Sequence, residues 1–348
     1  MELLPTIWFI AIAVLWTGYL FLEGFDLGVG MLMKVFARNN TERRVLLNTI
    51  GPVWDGNEVW LLAAGGTLYF AFPRLYASSF SGFYLPLTVV LWLFILRGIG
   101  IEFRAHVENR VWQDFFDAIF SIASILLAVF FGAALGNVVR GVPLDATGYF
   151  FEPLWTNFKL GPQTGILDWY TVLTGVVALV TLTAHGSYYV ALKTDEDLGR
   201  RARGFALLCW PVQFFLTFSS LVATYFIRPG IMVNYGKHKV GVLVPIIVAA
   251  SLGVMLWANP KGKAKLAFVA SSLYITFMLV GAAFALYPVV LPARDHHYDL
   301  TIYNTAAASH GLSVGLVWWT LAAVLAVAYF VFVYRMFRGK VQLGEGHY

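Results

Sequence analysis

Long apolar segments constrain this chain more than any other feature of its sequence. A helix that crosses a bilayer needs about 20 mostly apolar residues. Segments of roughly that length follow one another along the whole chain, separated by shorter polar stretches. We place nine of them, at 7–35, 47–71, 80–103, 113–139, 168–192, 203–227, 241–258, 265–290 and 312–336. The pattern predicts an all-α integral membrane protein with about nine transmembrane helices.

The composition supports this fold class. Of 348 residues, 59% are hydrophobic and 12% are charged, whereas a soluble domain carries about 25% charged residues. The lipid bilayer is therefore the expected surrounding of the chain. The net charge of +5 does not indicate a nucleic-acid partner, because the basic residues lie mainly in short loops. Cys209 is the single cysteine, which excludes a disulfide framework.

The chain also shows a weak internal similarity. The first and fifth segments end alike, since Lys34 and Lys193 are each followed by a basic loop. This similarity predicts two four-helix bundles and one peripheral helix. The expected organisation is a first bundle at 1–140, an outside loop at 141–167, a second bundle at 168–290, and an outside loop, ninth helix and cytoplasmic tail at 291–348.

The distribution of Lys and Arg predicts the orientation. Cytoplasmic loops of membrane proteins carry an excess of these residues. The loops after the odd-numbered segments and the C-terminal stretch carry 16, the opposite side carries 7, and Arg97 lies inside the third segment. We therefore expect the N-terminus outside and the C-terminus in the cytoplasm.

The stretch 54–60 (Trp-Asp-Gly-Asn-Glu-Val-Trp) lies near the start of the second segment. Asp55 and Glu58 share a helix face at i and i+3, with Asn57 further round. Ionisable groups inside a membrane cost free energy and often mark proton or ion pathways. A helix cap would explain Asp55, and an interfacial anchor would explain Trp54. Two carboxylates beside an amide favour a hydrated proton pathway.

Other charged residues are expected at the same cytoplasmic level. Asp26 lies towards the end of the first segment, and Glu102 ends the third. Arg97, inside the third segment, needs an acidic partner, and Asp26, Asp55 and Glu102 are the candidates. These residues would hold water and relay protons, or they would form a purely structural ion-pair network.

The histidines do not predict a haem or metal site. Only His185 and His310 lie at plausible membrane depth, and no segment carries a pair of histidines spaced to hold two stacked haems. Spacing of Cys with His that is typical of metal sites is also missing. We expect that the chain itself binds no haem and no metal.

Several motifs resemble those of subunit II of the cytochrome bd quinol oxidases. The resemblance is dense over roughly the first 145 residues and continues beyond them. The matching stretches are 24–32 (Gly-Phe-Asp-Leu-Gly-Val-Gly-Met-Leu), 40–44 (Asn-Thr-Glu-Arg-Arg), 54–60, 80–84 (Phe-Ser-Gly-Phe-Tyr), 136–137 with 141–143, and 267–268 with 271–273.

The resemblance implies a heterodimer with a haem-bearing subunit I in a bacterial or archaeal cytoplasmic (inner) membrane. Such a complex oxidises quinol and reduces O₂ to water, with haem b and haem d in subunit I. The resemblance also implies that subunit II supports haem assembly and that Asp55 belongs to a cytoplasmic proton pathway. A structural quinone in this subunit and additional small single-span subunits stay open. Position 185 is His, where the resemblance leads us to expect an amide.

Two other functions are compatible with the residues alone. A proton-coupled secondary transporter would use intramembrane charges near the bilayer midplane, at interrupted helices. Here the charges gather at one side of the membrane, and no matching pair of interrupted segments is present. A structural scaffold subunit would use the same charges only to hold its partner.

Overall fold

The computed structural model describes residues 3–161, 164–194 and 196–341. The helices are α1 (Leu3–Val35), α2 (Asn40–Ile50), α3 (Trp54–Ala71), α4 (Pro73–Gly82), α5 (Tyr84–Glu102), α6 (Arg110–Arg140), α7 (Trp169–Lys193), α8 (Glu196–Ile227), α9 (Val233–Lys237), α10 (Leu243–Ala258), α11 (Ala264–Leu286) and α12 (Ser309–Met336). Two short strands, β1 (Val289–Leu291) and β2 (Leu300–Thr301), pair antiparallel. The outermost ends of the predicted organisation, 1–2 and 342–348, lie outside the described residues.

The all-α membrane fold is confirmed. Within the described residues, eight helices are long and apolar enough to cross a membrane: α1, α5, α6, α7, α8, α10, α11 and α12. The remaining predicted segment corresponds to α3, whose 18 residues include Asp55, Asn57 and Glu58 near the start. Helix α3 is not among the eight helices apolar enough to cross a membrane, so the count of nine is approximate.

The segment predicted at 47–71 is two helices instead of one. Helix α2 ends at Ile50, and α3 begins at Trp54. Pro52 lies between them and has no N–H to donate to the preceding turn, so it cannot continue the hydrogen-bond pattern of α2. The chain therefore turns at 51–53, and this turn delivers the polar start of α3 to the side of α1.

The two halves of the chain use the same scheme of helix contacts. In the first half, α1 packs against α3 and α6, and α5 packs against α6. In the second half, α7 packs against α8 and α11, and α10 packs against α11. Helix α1 contacts α7 and α11, so the two halves meet along α1 and α7.

Helix α12 lies at the periphery, beside α3. None of the most apolar 18-residue window of α12 is buried. The helix is held at a few points, where the Trp319 indole N–H donates to Thr67 Oγ1 (3.1 Å) and the Phe330 ring lies 5.3 Å from the Trp60 ring. This position brings the end of α12 close to the polar start of α3.

Candidate functional site

Arg97 is the centre of a polar cluster formed by α1, α3 and α5. Its guanidinium is fully buried and lies between two carboxylates from different helices. Nη1 donates to Glu58 Oε1 at 2.5 Å, and Nη2 is 2.8 Å from Glu23 Oε1. Glu23 is fully buried, whereas the Glu58 side chain is 26% exposed. One buried cation therefore joins an inner carboxylate to a carboxylate at the edge of the protein.

Asn57 connects a third carboxylate to the same region. Its side-chain N–H donates to Asp26 Oδ2 at 2.7 Å, and its side-chain oxygen accepts from the Tyr334 hydroxyl at 2.8 Å. Asp26 and Asn57 are both fully buried. Helices α1, α3 and α12 are thus linked by a chain of three polar side chains.

The other predicted site residues lie around this cluster in different environments. The Trp54 ring faces the Arg97 guanidinium, with Cζ 5.5 Å from the ring centroid, so Trp54 covers the cation. Asp55 is exposed, in the first turn of α3. Glu102 is the half-buried last residue of α5. The structure therefore brings Asp26, Trp54, Asn57, Glu58 and Arg97 together, with Asp55 on the adjoining surface.

Several buried polar atoms of the cluster have no hydrogen-bond partner among the described residues. Three of them are the Tyr19 hydroxyl, Glu23 Oε2 and Asp26 Oδ1. All three belong to one face of α1, because residues three and four apart lie side by side on a helix. Buried polar groups in proteins are normally satisfied by protein or by ordered water. These atoms on α1 can therefore form hydrogen bonds with water.

The predicted partners of Arg97 were wrong. Arg97 pairs with Glu23 and Glu58, not with Asp26, Asp55 or Glu102. Sequence reasoning overlooked Glu23 as a site residue, although its position one turn before Asp26 places it on the same helix face. It also overlooked Tyr334, which lies 277 positions from Asn57 and is joined to it only by the tertiary fold.

A separate ion-pair cluster lies at the same end of the molecule. Asp117 is fully buried and accepts from Arg104 Nε at 2.5 Å and from Arg43 Nη1 at 3.1 Å. Arg43 also pairs with Asp114 at 2.5 Å, and Lys34 lies 3.3 Å from that carboxylate. This cluster joins α1, α2, the turn after α5 and the start of α6, and its carboxylates are paired with cations.

Another buried ionic cluster lies at the opposite end. Arg140, at the end of α6, pairs with Glu152 at 3.0 Å and with Asp168. Arg294 also pairs with Glu152. Burial raises the pKa of Glu152, while Arg140 and Arg294 oppose that shift. These four side chains join the 141–168 loop to the 291–299 loop.

His185 has no ring nitrogen available for a metal. Nδ1 lies 3.0 Å from Ser271 Oγ, and Nε2 lies 2.9 Å from the Phe21 carbonyl oxygen. Since a carbonyl only accepts, Nε2 carries the proton. The ring stacks on Phe268, with centroids 4.8 Å apart. Among the residues that the structure describes, no group of three His, Cys, Asp or Glu side chains could hold a metal ion.

Comparison with known proteins identifies the family. The family model described as cytochrome bd terminal oxidase subunit II matches residues 4–337. The chain belongs to this family. Subunit 2 of the Bacillus subtilis cytochrome bd ubiquinol oxidase is 32% identical, with 99% of each chain covered. Subunit 2 of the Escherichia coli K12 cytochrome bd-I ubiquinol oxidase is 30% identical, with 94% of this chain and 91% of the relative covered.

A probable cytochrome oxidase subunit 2 of Haemophilus influenzae is also 30% identical, covering 98% of this chain and 96% of the relative. A chain in the solved structure of bd oxidase from Geobacillus thermodenitrificans has the same fold, with a TM-score of 0.75 at 18% identity. The alignment covers 97% of this chain and 99% of that one.

Membership of the cytochrome bd subunit II family establishes the general function. The chain is part of a quinol:oxygen oxidoreductase complex, a terminal oxidase of the respiratory chain. The family implies a partner subunit I that carries the haems, and the apolar helices make this subunit a multi-pass protein of the inner membrane. The resemblance noted from the sequence motifs is confirmed.

Proposed function

We propose that this subunit delivers cytoplasmic protons to the oxygen-reducing site of its haem-bearing partner, through the cluster around Arg97. One observation supports this proposal above the others, namely the graded exposure of the acidic side chains. Asp55 is exposed, Glu58 is 26% exposed, and Glu23 is fully buried. Acidic groups thus continue from the surface into the protein, with a buried cation between the last two.

Each residue has a distinct part in the proposed pathway. Asp55 takes up a proton at the surface and passes it to Glu58, one helical turn further along α3. Arg97 stays protonated and stabilises the carboxylate forms of Glu58 and Glu23. Glu23 then transfers the proton inward, through water held by the Tyr19 hydroxyl and the unpaired oxygens on the same face of α1.

The energetics favour such a pathway over a direct crossing of the hydrocarbon. Moving one charge against a potential of 100 mV costs about 2.3 kcal/mol, and placing a bare charge inside the bilayer costs more. A row of carboxylates with bound water divides the movement into short steps between groups that each accept a proton. The reaction at the haems of subunit I consumes the protons, so this subunit needs no redox group of its own.

The proposal includes the orientation and the heterodimer. The excess of Lys and Arg at the end that carries the Arg97 cluster favours placing that end in the cytoplasm. The N-terminus is then outside, and Asp55 faces the side from which the protons come. The exposed apolar helices are compatible with a membrane partner such as subunit I.

The test compares charge-neutral variants of the complete complex. Asp55→Asn, Glu58→Gln and Glu23→Gln are co-expressed with subunit I, and quinol-driven O₂ uptake is measured together with the haem absorption spectrum. We expect uptake to fall at least tenfold in Glu58→Gln and Glu23→Gln with haem content unchanged. Glu108→Gln, an exposed carboxyl in the loop before α6, is the matched control and keeps full activity.

The scaffold alternative predicts a different outcome. If the Arg97 ion pairs only hold the helices together, Glu23→Gln will lose haems and activity in proportion. Full activity in all three variants, with haems intact, would direct the search for the proton pathway to subunit I. Proton uptake measured from each side of proteoliposomes then decides whether the remaining turnover uses cytoplasmic protons.

A further inference from the structure

The turn between α10 and α11 carries a group of lysines that the proton pathway does not use. Lys261 and Lys263 lie in the turn, and Lys265 lies in the first turn of α11. The turn is at the same end of the molecule as the basic start of α8, because the Asn259 side chain donates to the Arg203 carbonyl oxygen at 2.8 Å. By the proposed orientation, this is the cytoplasmic end.

Two of these lysines share one aromatic ring. The Lys261 and Lys263 ammonium nitrogens lie 4.4 and 4.3 Å from the ring centroid of Trp257, near the end of α10. The indole attracts both cations, which keeps two like charges close together. The neighbouring acids Glu42 and Asp197 pair with Arg200 and Arg201. Among the described residues, no carboxylate forms an ion pair with either lysine.

The backbone of the turn is ordered by hydrogen bonds and by one glycine. Gly262 has a φ of +70°, a left-handed conformation that glycine adopts without steric cost. Its N–H donates to the Asn259 carbonyl at 3.1 Å, and the Lys263 N–H donates to the Ala258 carbonyl at 3.1 Å. Asn259 itself is 1% exposed. The positive charges are therefore presented by an ordered turn anchored to α8.

An apolar surface adjoins these charges. A shallow cleft runs from Gly262 and Lys263 along the start of α11 to Leu266 and Val269. The side chains of Leu266 and Val269 are 40% and 42% exposed. Cations at one end and aliphatic side chains at the other match a phospholipid with its phosphate at the surface and its acyl chains in the bilayer. A soluble anion would use the lysines and leave the apolar part of the cleft unused.

We propose that the α10–α11 turn is a binding site for an anionic phospholipid. Lys261 and Lys263 hold the phosphate, Lys265 adds to the local positive charge, and the acyl chains lie along Leu266 and Val269. The indole of Trp257 positions the two ammonium groups before the lipid arrives, so less side-chain freedom is lost on binding.

The test uses photoactivatable lipids on the intact complex. Phosphatidylglycerol and phosphatidylcholine, each with a diazirine near the start of one acyl chain, are added in turn, and labelled peptides that contain 264–270 are quantified by mass spectrometry. We expect phosphatidylglycerol to label this segment at least fivefold more than phosphatidylcholine. In Lys261→Gln/Lys263→Gln the preference should disappear.

Two further variants separate local from general effects. Lys237→Gln/Lys239→Gln, at the opposite end of the molecule, removes the same charge and should keep the preference. Trp257→Leu keeps both lysines and should lower the preference about twofold, because the ring no longer positions them. The haem spectrum of each complex verifies that the variants are assembled.

Several outcomes would overturn the proposal. Equal labelling by the two lipids would show that the cleft takes acyl chains without selecting a headgroup. A preference that survives Lys261→Gln/Lys263→Gln would place the selective site elsewhere. Loss of the preference in inorganic phosphate, but not in chloride of equal ionic strength, would assign the lysines to a free anion. Labelling only after dissociation of the subunits would mean that a protein covers the cleft.

Discussion

Arg97 is a fully buried cation, so its stability depends on the groups around it. A buried cation is tolerated only when its charge and hydrogen-bonding groups find partners, and removing one member of a buried pair costs about 3–5 kcal/mol. Glu23 and Glu58 supply the opposite charges from α1 and α3, Glu58 accepts a hydrogen bond from Nη1, and Trp54 covers the guanidinium. The same arrangement that stabilises Arg97 also keeps two carboxylates in the membrane region.

Replacing Arg97 should therefore be among the most disruptive single changes. Arg97→Gln leaves the fully buried Glu23 without a cation, and we expect a loss of about 3–5 kcal/mol of stability. Thermal unfolding of the purified complex, followed by haem absorbance, measures the effect. Arg200→Gln is the control, since Arg200 is 71% exposed and pairs with a similarly exposed Asp197. Equal unfolding temperatures for the two variants would contradict this role of Arg97.

The two side-chain hydrogen bonds of Asn57 predict a graded loss of stability. Tyr334→Phe removes one hydrogen bond to the Asn57 side chain and should cost about 1 kcal/mol. Asn57→Leu removes that bond and also leaves Asp26 without its side-chain donor, so it should cost more. The unfolding temperatures of the complexes should fall in the order wild type, Tyr334→Phe, Asn57→Leu. The reverse order would mean that Asn57 does not link α1 to α12.

At the scale of helices, the sequence predicts most segments because apolar length alone sets a membrane span. The predicted segments 113–139 and 168–192 differ from α6 and α7 by at most three residues at each end. The break between α2 and α3 was not expected, although Pro52 is its local signal. The partners of Arg97 depend on which helix faces it, and apolar runs carry no such information.

The crossing of α1 and α7 depends on two glycines. A Cβ at Gly186 would lie 2.6 Å from the Gly28 Cα and 2.8 Å from the Val29 nitrogen, so the helix backbones would have to separate. Gly28 belongs to a small-xxx-small pair with Gly24, the kind of sequence that permits close helix approach. The two halves of the molecule meet at this crossing.

Gly186→Ala should destabilise the complex even though alanine favours helix. In a helix, Gly→Ala gains about 1 kcal/mol from propensity alone. The matched control is Gly253→Ala in α10, where a Cβ would have no neighbour within 4 Å. We expect a lower unfolding temperature and a lower yield of assembled complex for Gly186→Ala, and no loss for Gly253→Ala. A neutral Gly186→Ala would imply that the crossing can widen freely.

At the scale of the whole molecule, polar contacts near both ends supplement the α1–α7 crossing. At the end that carries Arg140, the ion pairs of Glu152 with Arg140 and Arg294 join two loops. At the opposite end, Glu42 of α2 accepts from Arg201 of α8 at 2.7 Å, which links the first half of the chain to the second. The Glu42–Arg201 pair is only partly buried, so protons from solvent can titrate the Glu42 carboxylate.

The Glu42–Arg201 pair predicts a pH dependence of stability. The hydrogen bond from Arg201 lowers the pKa of Glu42 below its ordinary value of 4.5. Because the folded-state pKa is depressed, the pair stabilises the fold fully above pH 4.5, and this contribution is lost as pH falls through the folded-state pKa. Glu42→Gln should therefore lower the unfolding temperature of the complex at about pH 7, and the difference from wild type should shrink below pH 4.5. Glu108→Gln, which neutralises an exposed carboxylate away from this pair, should show no such convergence. A difference between wild type and Glu42→Gln that stays constant into acid would mean that the link does not depend on the ionised carboxylate.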